Sequence, residues 1–131
     1  MPPSTSPALL YTSHAISLTF LAFGLNALLN PSSALSFYLL APPSASTPPS
    51  DAQAVHSLLA AYGVRDIFMG LSLFSAGLFG TSKSLGLTLL AAAAVAVADG
   101  FVCQVYAGGE GVMNHWGYAP LVAMLGVAVL R

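Results

Sequence analysis

Hydrophobic positions in this chain are gathered into four long runs. They cover Ala8–Leu29, Ala52–Phe79, Leu85–Tyr106 and Met113–Leu130. A helix needs about 20 mainly apolar residues to cross roughly 30 Å of hydrocarbon. The first three runs reach that length, and the last is the shortest that still spans. The pattern therefore predicts an all-α, four-transmembrane-helix bundle that forms a single integral membrane domain over residues 1–131.

Polar and turn-forming residues separate the four runs. Between the first two, Ser32–Leu40 predicts a short interfacial helix with Phe37 and Tyr38 at headgroup level. The segment Pro42–Pro49 has the composition of a loop. The other two connections are predicted to be tight turns, Gly80–Ser84 and Gly108–Gly111.

Composition indicates which solvent surrounds the bundle. Hydrophobic residues make up 56% of the chain, charged residues 5%, and the mean hydropathy is +0.82. A soluble domain carries about 25% charged residues, so the lipid bilayer is the expected partner of most of this surface. The net charge of -1 and the lack of a basic run argue against nucleic-acid binding. The single cysteine, Cys103, excludes an intrachain disulfide and is expected to be a small buried hydrophobe.

The few loop charges predict an orientation. With four crossings, Lys83 and Arg131 lie on the side of both termini, whereas Asp51 and Glu110 lie on the other side. The positive-inside rule then places both termini in the cytosol. We expect an endomembrane location, such as the endoplasmic reticulum.

Charged residues inside the runs are the candidates for chemistry. Arg65 and Asp66 lie near the middle of the second run, where each charge costs about 2.5–3.5 kcal/mol and faces the bundle interior. At about 100° per residue, Tyr62 and Met69 share their arc of the helix. An adjoining stripe of small residues should let another helix approach closely. That stripe consists of Gly63, Gly70 and Gly77.

Residues of the other helices reach a similar depth. Asp99 lies in the third run, His115 begins the fourth, and Asn26 is near the exit of the first. We predict that these residues form one polar cluster in the non-cytosolic half of the bundle. Arg65, Asp66 and Asp99 should meet there in one cavity with His115 at its mouth. An open pocket lined by Tyr62, Met69 and residues of the first helix should adjoin them. The candidate catalytic residues are Asp99, Asp66, Arg65 and His115. The candidate substrate-binding residues are Tyr62, Asn26, Met69, Trp116, Gln104 and Glu110, with Gln104 and Glu110 nearer the rim. Trp116 and Tyr118 are also expected to be interfacial anchors.

Two interpretations of the cluster remain open. Arg65 and one carboxylate can form a structural ion pair between helices. Two acids against one arginine leave a net negative charge, so one aspartic acid should be protonated or His115 charged. Unequal carboxylates are what acid–base chemistry uses. The scattered residues His14, His56 and His115 show no metal-ligand spacing, and no cofactor motif is present. Neither a metal nor a cofactor is therefore predicted.

The runs Gly63–Gly70, Ala98–Gly100 and His115–Trp116 resemble those of small four-helix membrane proteins of filamentous fungi. These are grouped only as a domain of unknown function and are distantly similar to DoxX-like membrane proteins. The resemblance covers most of the chain. It implies a fungal source, four transmembrane helices and a link to secondary-metabolite pathways, and it carries over no catalytic residues.

Three functions are compatible with these features. The first is an acid–base enzyme of the isomerase, cyclase or hydrolase type that acts on a lipophilic small molecule in the membrane. The second is a non-catalytic lipid- or metabolite-binding protein. The third is a structural subunit of a larger membrane assembly. A homo-oligomer remains open, and transport of a solute would require one because four helices are few for a pathway.

Overall fold

The computed structural model describes residues 6–131, so the first five residues of the predicted domain lie outside it. Its helices are α1 (Pro7–Leu29), α2 (Pro31–Phe37), α3 (Pro49–Phe79), α4 (Ser82–Tyr106), α5 (Val112–Trp116) and α6 (Ala119–Leu130). Four stretches are long and apolar enough to cross a membrane, namely α1, α3, α4 and the combined stretch Val112–Leu130. The predicted four-helix membrane bundle is confirmed, and so is the short helix between the first two spans.

Local capping explains why two helices begin earlier than predicted. α3 begins at Pro49 instead of Ala52, because proline fits the first turn, where its missing N–H is not needed. α4 begins at Ser82 instead of Leu85. Thr81 and Ser84 form a capping box, which turns most of the predicted Gly80–Ser84 loop into the first turn of α4.

The fourth span is not one continuous helix. The predicted helix Met113–Leu130 is divided into α5 and α6, with Gly117 and Tyr118 between them. Pro120 has no N–H to donate to the carbonyl four residues earlier, that of Trp116, so the helical ladder is interrupted there. The two pieces still follow one another across the membrane as a single span.

Glycines bring α1 and α3 into close contact. A Cβ atom added to Gly24 would lie 2.5 Å from the carbonyl oxygen of Gly63, and one added to Gly70 would lie 2.9 Å from the carbonyl oxygen of Ser17. The Ser17 hydroxyl donates a 2.7 Å hydrogen bond to the Gly70 carbonyl. The predicted glycine stripe on α3 is therefore confirmed as a helix-packing face.

A second close pair is formed by α4 and α6. Gly86 and Gly126 face each other, and a Cβ added to either would lie 2.9–3.0 Å from the other's carbonyl oxygen. The two helix pairs enclose an apolar core around Leu73, Leu85 and Leu89, all with 0% exposure. The start of α1, the α3–α4 turn and the end of α6 come together at one end of the bundle, which we call the terminal end. The opposite end, with α2 and α5, is the loop end.

Candidate functional site

The guanidinium of Arg65 joins two carboxylates from different helices. Its Nη1 and Nη2 atoms donate to the two oxygens of Asp99 on α4, each at 2.9 Å. Its Nε and Nη2 atoms donate to Oδ1 of the neighbouring Asp66 at 3.2 and 3.1 Å. Asp99 thus accepts a two-pronged interaction, whereas Asp66 is held through one oxygen only. The predicted meeting of these three residues is confirmed.

Burial of the three charges is unequal. The exposed fraction of the side chain is 2% for Asp66, 9% for Asp99 and 36% for Arg65. Both acids are therefore almost fully buried, whereas the arginine side chain is partly exposed. With two carboxylates and one guanidinium, full ionisation would leave a net negative charge in the bundle, which is costly in an apolar medium.

Two tyrosines lie against this charge cluster. The Tyr62 ring lies beneath the guanidinium, with Cζ of Arg65 4.6 Å from the ring centroid, a cation–π distance. Tyr38 packs edge-on against Tyr62 with ring centroids 5.5 Å apart. Tyr38, which the sequence predicts at headgroup level, is 7% exposed. Burial, with the charge of Asp99 adding to it, raises the pKa of the Tyr38 phenol above its usual range, so this group stays neutral.

His115 is sealed among aromatic rings. It has 0% exposure, and its ring lies 4.5 Å from that of Tyr38 and 5.0 Å from that of Phe37. Neither ring nitrogen has a hydrogen-bond partner. The sequence prediction put this histidine at the mouth of a cavity. The structure places it beneath α5 and the end of α2. The side-chain amide of Asn114 joins these two helices through a 2.8 Å hydrogen bond to the Phe37 carbonyl.

Three predicted binding residues serve packing instead of the cluster. The Asn26 amide donates to the Ser33 hydroxyl at 3.2 Å and so ties α1 to α2. Met69 is 9% exposed and belongs to the central apolar core. The Trp116 indole donates to the Val97 carbonyl of α4 at 3.0 Å.

The two rim residues stay at the rim. Gln104 and Glu110 are both exposed at the loop end. The Gln104 amide lies beside the glycine turn, where a Cβ added to Gly109 would be 3.2 Å from its oxygen. Within residues 6–131, neither of these side chains forms a direct hydrogen bond with Asp66 or Asp99.

Five cavities of residues 6–131 have linings that include none of Arg65, Asp66 and Asp99. The predicted pocket between Tyr62, Met69 and the first helix is not among them. A cleft of about 450 Å³ instead separates α1 from α6, with almost wholly apolar walls that include Phe20, Phe23 and Tyr118.

Tyr118 links this cleft to the charges. It lies in the break between α5 and α6, lines the cleft, and is within electrostatic range of Asp99, Asp66 and Arg65. Sequence reasoning treated it as an interfacial anchor. Pro120, two residues later, was the available signal, because it marks where the helix opens and a side chain can turn inward.

No group of three histidine, cysteine, aspartate or glutamate side chains within residues 6–131 is arranged to hold a metal ion. The model of a protein family described as a domain of unknown function (DUF4267) matches residues 17–129. The chain therefore belongs to that family. Its own structure is that of an integral four-helix membrane bundle. Neither a curated protein nor a solved structure matches the chain.

Proposed function

We propose that this protein is a membrane-embedded enzyme that transfers protons to and from a lipophilic small molecule, as an isomerase, cyclase or hydrolase does. The observation that carries the proposal is the sharing of one guanidinium by two buried carboxylates. Three charges gathered inside an apolar bundle are expensive, and such arrangements usually mark a functional site. The related proposals are a fungal origin, a role in secondary metabolism, and an endomembrane location.

The two acids have different surroundings and therefore different roles. Asp99 receives two parallel bonds from Arg65, which orient both of its oxygens, and we assign it the role of general base. Asp66 is 2% exposed and shares only Oδ1 with the guanidinium, so its second oxygen is left for the proton of a general acid. Arg65 is hydrogen-bonded to both acids and can stabilise an anion that develops on the substrate.

The α1–α6 cleft supports a lipophilic substrate. Its walls are apolar, and its volume of about 450 Å³ falls within the range of about 300–1,000 Å³ that is usual for small-molecule sites. Tyr118 lines the cleft and is within electrostatic range of the carboxylates, so its phenol is the group that would couple the cleft to the acids. A substrate would enter from the lipid, since the cleft opens between two transmembrane helices.

The test compares metabolite extracts of cells that express wild-type protein, Asp99→Asn, Asp66→Asn or no protein. Loss of the general acid or base should lower a conversion by about a hundredfold or more. The protein should still accumulate in membranes, because Asn keeps the shape and one hydrogen-bond acceptor. Asp51→Asn is the matched control, since Asp51 is exposed in the first turn of α3. Normal conversion in both site variants would end the enzyme proposal.

A structural role is the second candidate, and one observation favours it. Arg65 and Asp99 connect α3 to α4, and so connect the α1–α3 pair to the α4–α6 pair, while none of the five cavities touches them. Replacing a buried ion network by apolar groups often preserves stability. A triple variant, Arg65→Met with Asp66→Asn and Asp99→Leu, should therefore fold in either case. Unchanged metabolite conversion in that variant would identify the structural role. Binding of a ligand without turnover in the wild type would identify a non-catalytic lipid- or metabolite-binding protein.

A further inference from the structure

A second cavity lies at the terminal end and has a different character. Its volume is about 590 Å³, and Lys83 and Arg131 both line it. The chain has three cationic side chains, and the third is Arg65 of the charge cluster. Both remaining cations thus face one cavity, and the hydroxyl side chains Ser6, Thr81 and Ser82 also line it. The exposed acids Asp51 and Glu110 are at the opposite end, so the terminal-end cavity is complementary to an anion.

The terminal-end cavity and the α1–α6 cleft follow one another along the boundary between α1 and α6. On α1, Leu9 lines the first and Thr12 and Ile16 line the second, at the spacing of successive turns on one helix face. On α6, Val129 lines the first and Leu125 the second, again one turn apart. We call this boundary, with its two adjacent cavities, the α1–α6 seam; it is polar at the terminal end and apolar further in.

The apolar part of the seam has the length of one lipid tail. Residues 12 and 23 of α1 bound the cleft, and at about 1.5 Å per residue they are roughly 16 Å apart. Half of a bilayer core is about 15 Å thick. The threonines in this wall hide their hydroxyls, since Thr12 and Thr19 donate to the carbonyls of Ala8 and Ala15 at 2.8 and 3.0 Å. Their methyl groups are left for an apolar neighbour.

We propose that the α1–α6 seam binds a single-chain amphiphile with an anionic headgroup. The headgroup occupies the terminal-end cavity between Lys83 and Arg131, the tail fills the α1–α6 cleft, and the tail's distal end lies at Tyr118. That distal end is the part of the molecule that lies toward the loop end, on the side of the bundle where Tyr118 and Asp99 lie. That this amphiphile is the substrate rests on the proposed function, whereas its binding does not.

Binding of spin-labelled amphiphiles to the full-length protein in uncharged detergent tests the headgroup. The probes are oleoyl lysophosphatidate, which is anionic, and oleoyl lysophosphatidylcholine, which is zwitterionic. Each cation is worth about fivefold in affinity for an anionic lipid, so Lys83→Gln with Arg131→Gln should weaken lysophosphatidate binding by roughly 25-fold. Lys83→Arg with Arg131→Lys keeps both charges and should keep the affinity. Equal affinity of the wild type for both probes, or an unchanged preference in the double Gln variant, would overturn the proposal.

A pair of α1 variants tests the tail. Ile16→Trp fills the cleft and should weaken binding of both probes about tenfold or more, whereas Leu18→Trp lies on the exposed side of α1 and should change neither. Equal effects of the two substitutions would contradict a tail in the cleft. Millimolar inorganic phosphate should fail to displace lysophosphatidate. Displacement would identify a free-anion site and overturn the proposal of an amphiphile.

The same titration on Asp99→Asn separates this inference from the proposed function. Anion-selective binding should persist there, because Asp99 contacts neither cavity. If that variant binds selectively and still supports normal conversion, the binding stands and the enzyme proposal fails. If conversion depends on Asp99 while the wild type lacks headgroup selectivity, the enzyme proposal stands and the amphiphile does not.

Discussion

At the scale of single residues, His115 is a buried polar side chain in which neither ring nitrogen is hydrogen-bonded. The imidazole is fully buried against Phe37 and Tyr38. A buried polar atom without a partner costs about 1–3 kcal/mol. His115 therefore lowers the stability of the loop end. An apolar side chain of similar size would pack there without that penalty.

His115→Leu should accordingly leave the bundle as stable as the wild type or raise its melting temperature by a few degrees. The thermal midpoint in detergent measures this. His115→Ala serves as the comparison and should be destabilising by about 2–4 kcal/mol, because it leaves a cavity among the rings. If His115→Leu unfolds the protein, its nitrogens must be bonded to buried water. If it folds but loses conversion, the histidine acts in the chemistry.

Sequence reasoning was most successful where one rule acts alone. Arg65, Asp66 and Asp99 meet because each charge is excluded from lipid, and this rule applies at any position in a span. The burial of Tyr38 was not predicted, because it depends on contacts with Tyr62 and His115, which are far away in the sequence. Hydropathy records neither contact.

At the scale of helices, the closest contact is that between α1 and α3. Gly70→Leu should destabilise the protein by about 3 kcal/mol or more, because a Cβ there already meets Leu21 at 2.7 Å and the Ser17 carbonyl at 2.9 Å. The next residue, Leu71, is 55% exposed, so Leu71→Ile should change stability by less than about 1 kcal/mol. Retention of monodisperse protein during heating in detergent reports both. Equal tolerance would mean that α1 and α3 separate in the membrane.

Boundaries of these helices were predictable only in part. Hydropathy located all four spans, because the requirement for about 20 apolar residues is a property of the bilayer. The earlier start of α4 depends on the reciprocal hydrogen bonds of the capping box between Thr81 and Ser84, which hydropathy does not record. The break before Ala119 was implicit in Pro120, but its consequence, the turning of Tyr118 toward the cleft, depends on how α6 packs against α1.

At the scale of the whole molecule, charge is distributed along the membrane normal. The acids Asp51 and Glu110 belong to the loop end, the cations Lys83 and Arg131 line a cavity at the terminal end, and Arg65 with its two acids lies between. This distribution relates the amphiphile proposal to orientation. An anionic headgroup at the terminal end belongs to whichever leaflet that end faces. The side on which the terminal end lies therefore decides which lipid pool supplies the seam.

The terminal end should face the cytosol. Cationic residues near the ends of spans are retained on the cytosolic side, and both flanking cations, Lys83 and Arg131, are at this end. Reporter fusions after residue 131 and within Pro42–Pro49 should therefore report cytosol and lumen, respectively. A shared compartment would contradict the four crossings.

Because two cations set the orientation, moving them should reverse it. Lys83→Gln and Arg131→Gln, combined with Ser44→Lys and Ser46→Lys, should exchange the two reporter signals. The same four positions changed to Gln add no cation to the loop and are the control, for which partial loss of orientation without reversal is expected. Unaltered reporters in the Lys variant would show that features other than loop charge orient this bundle.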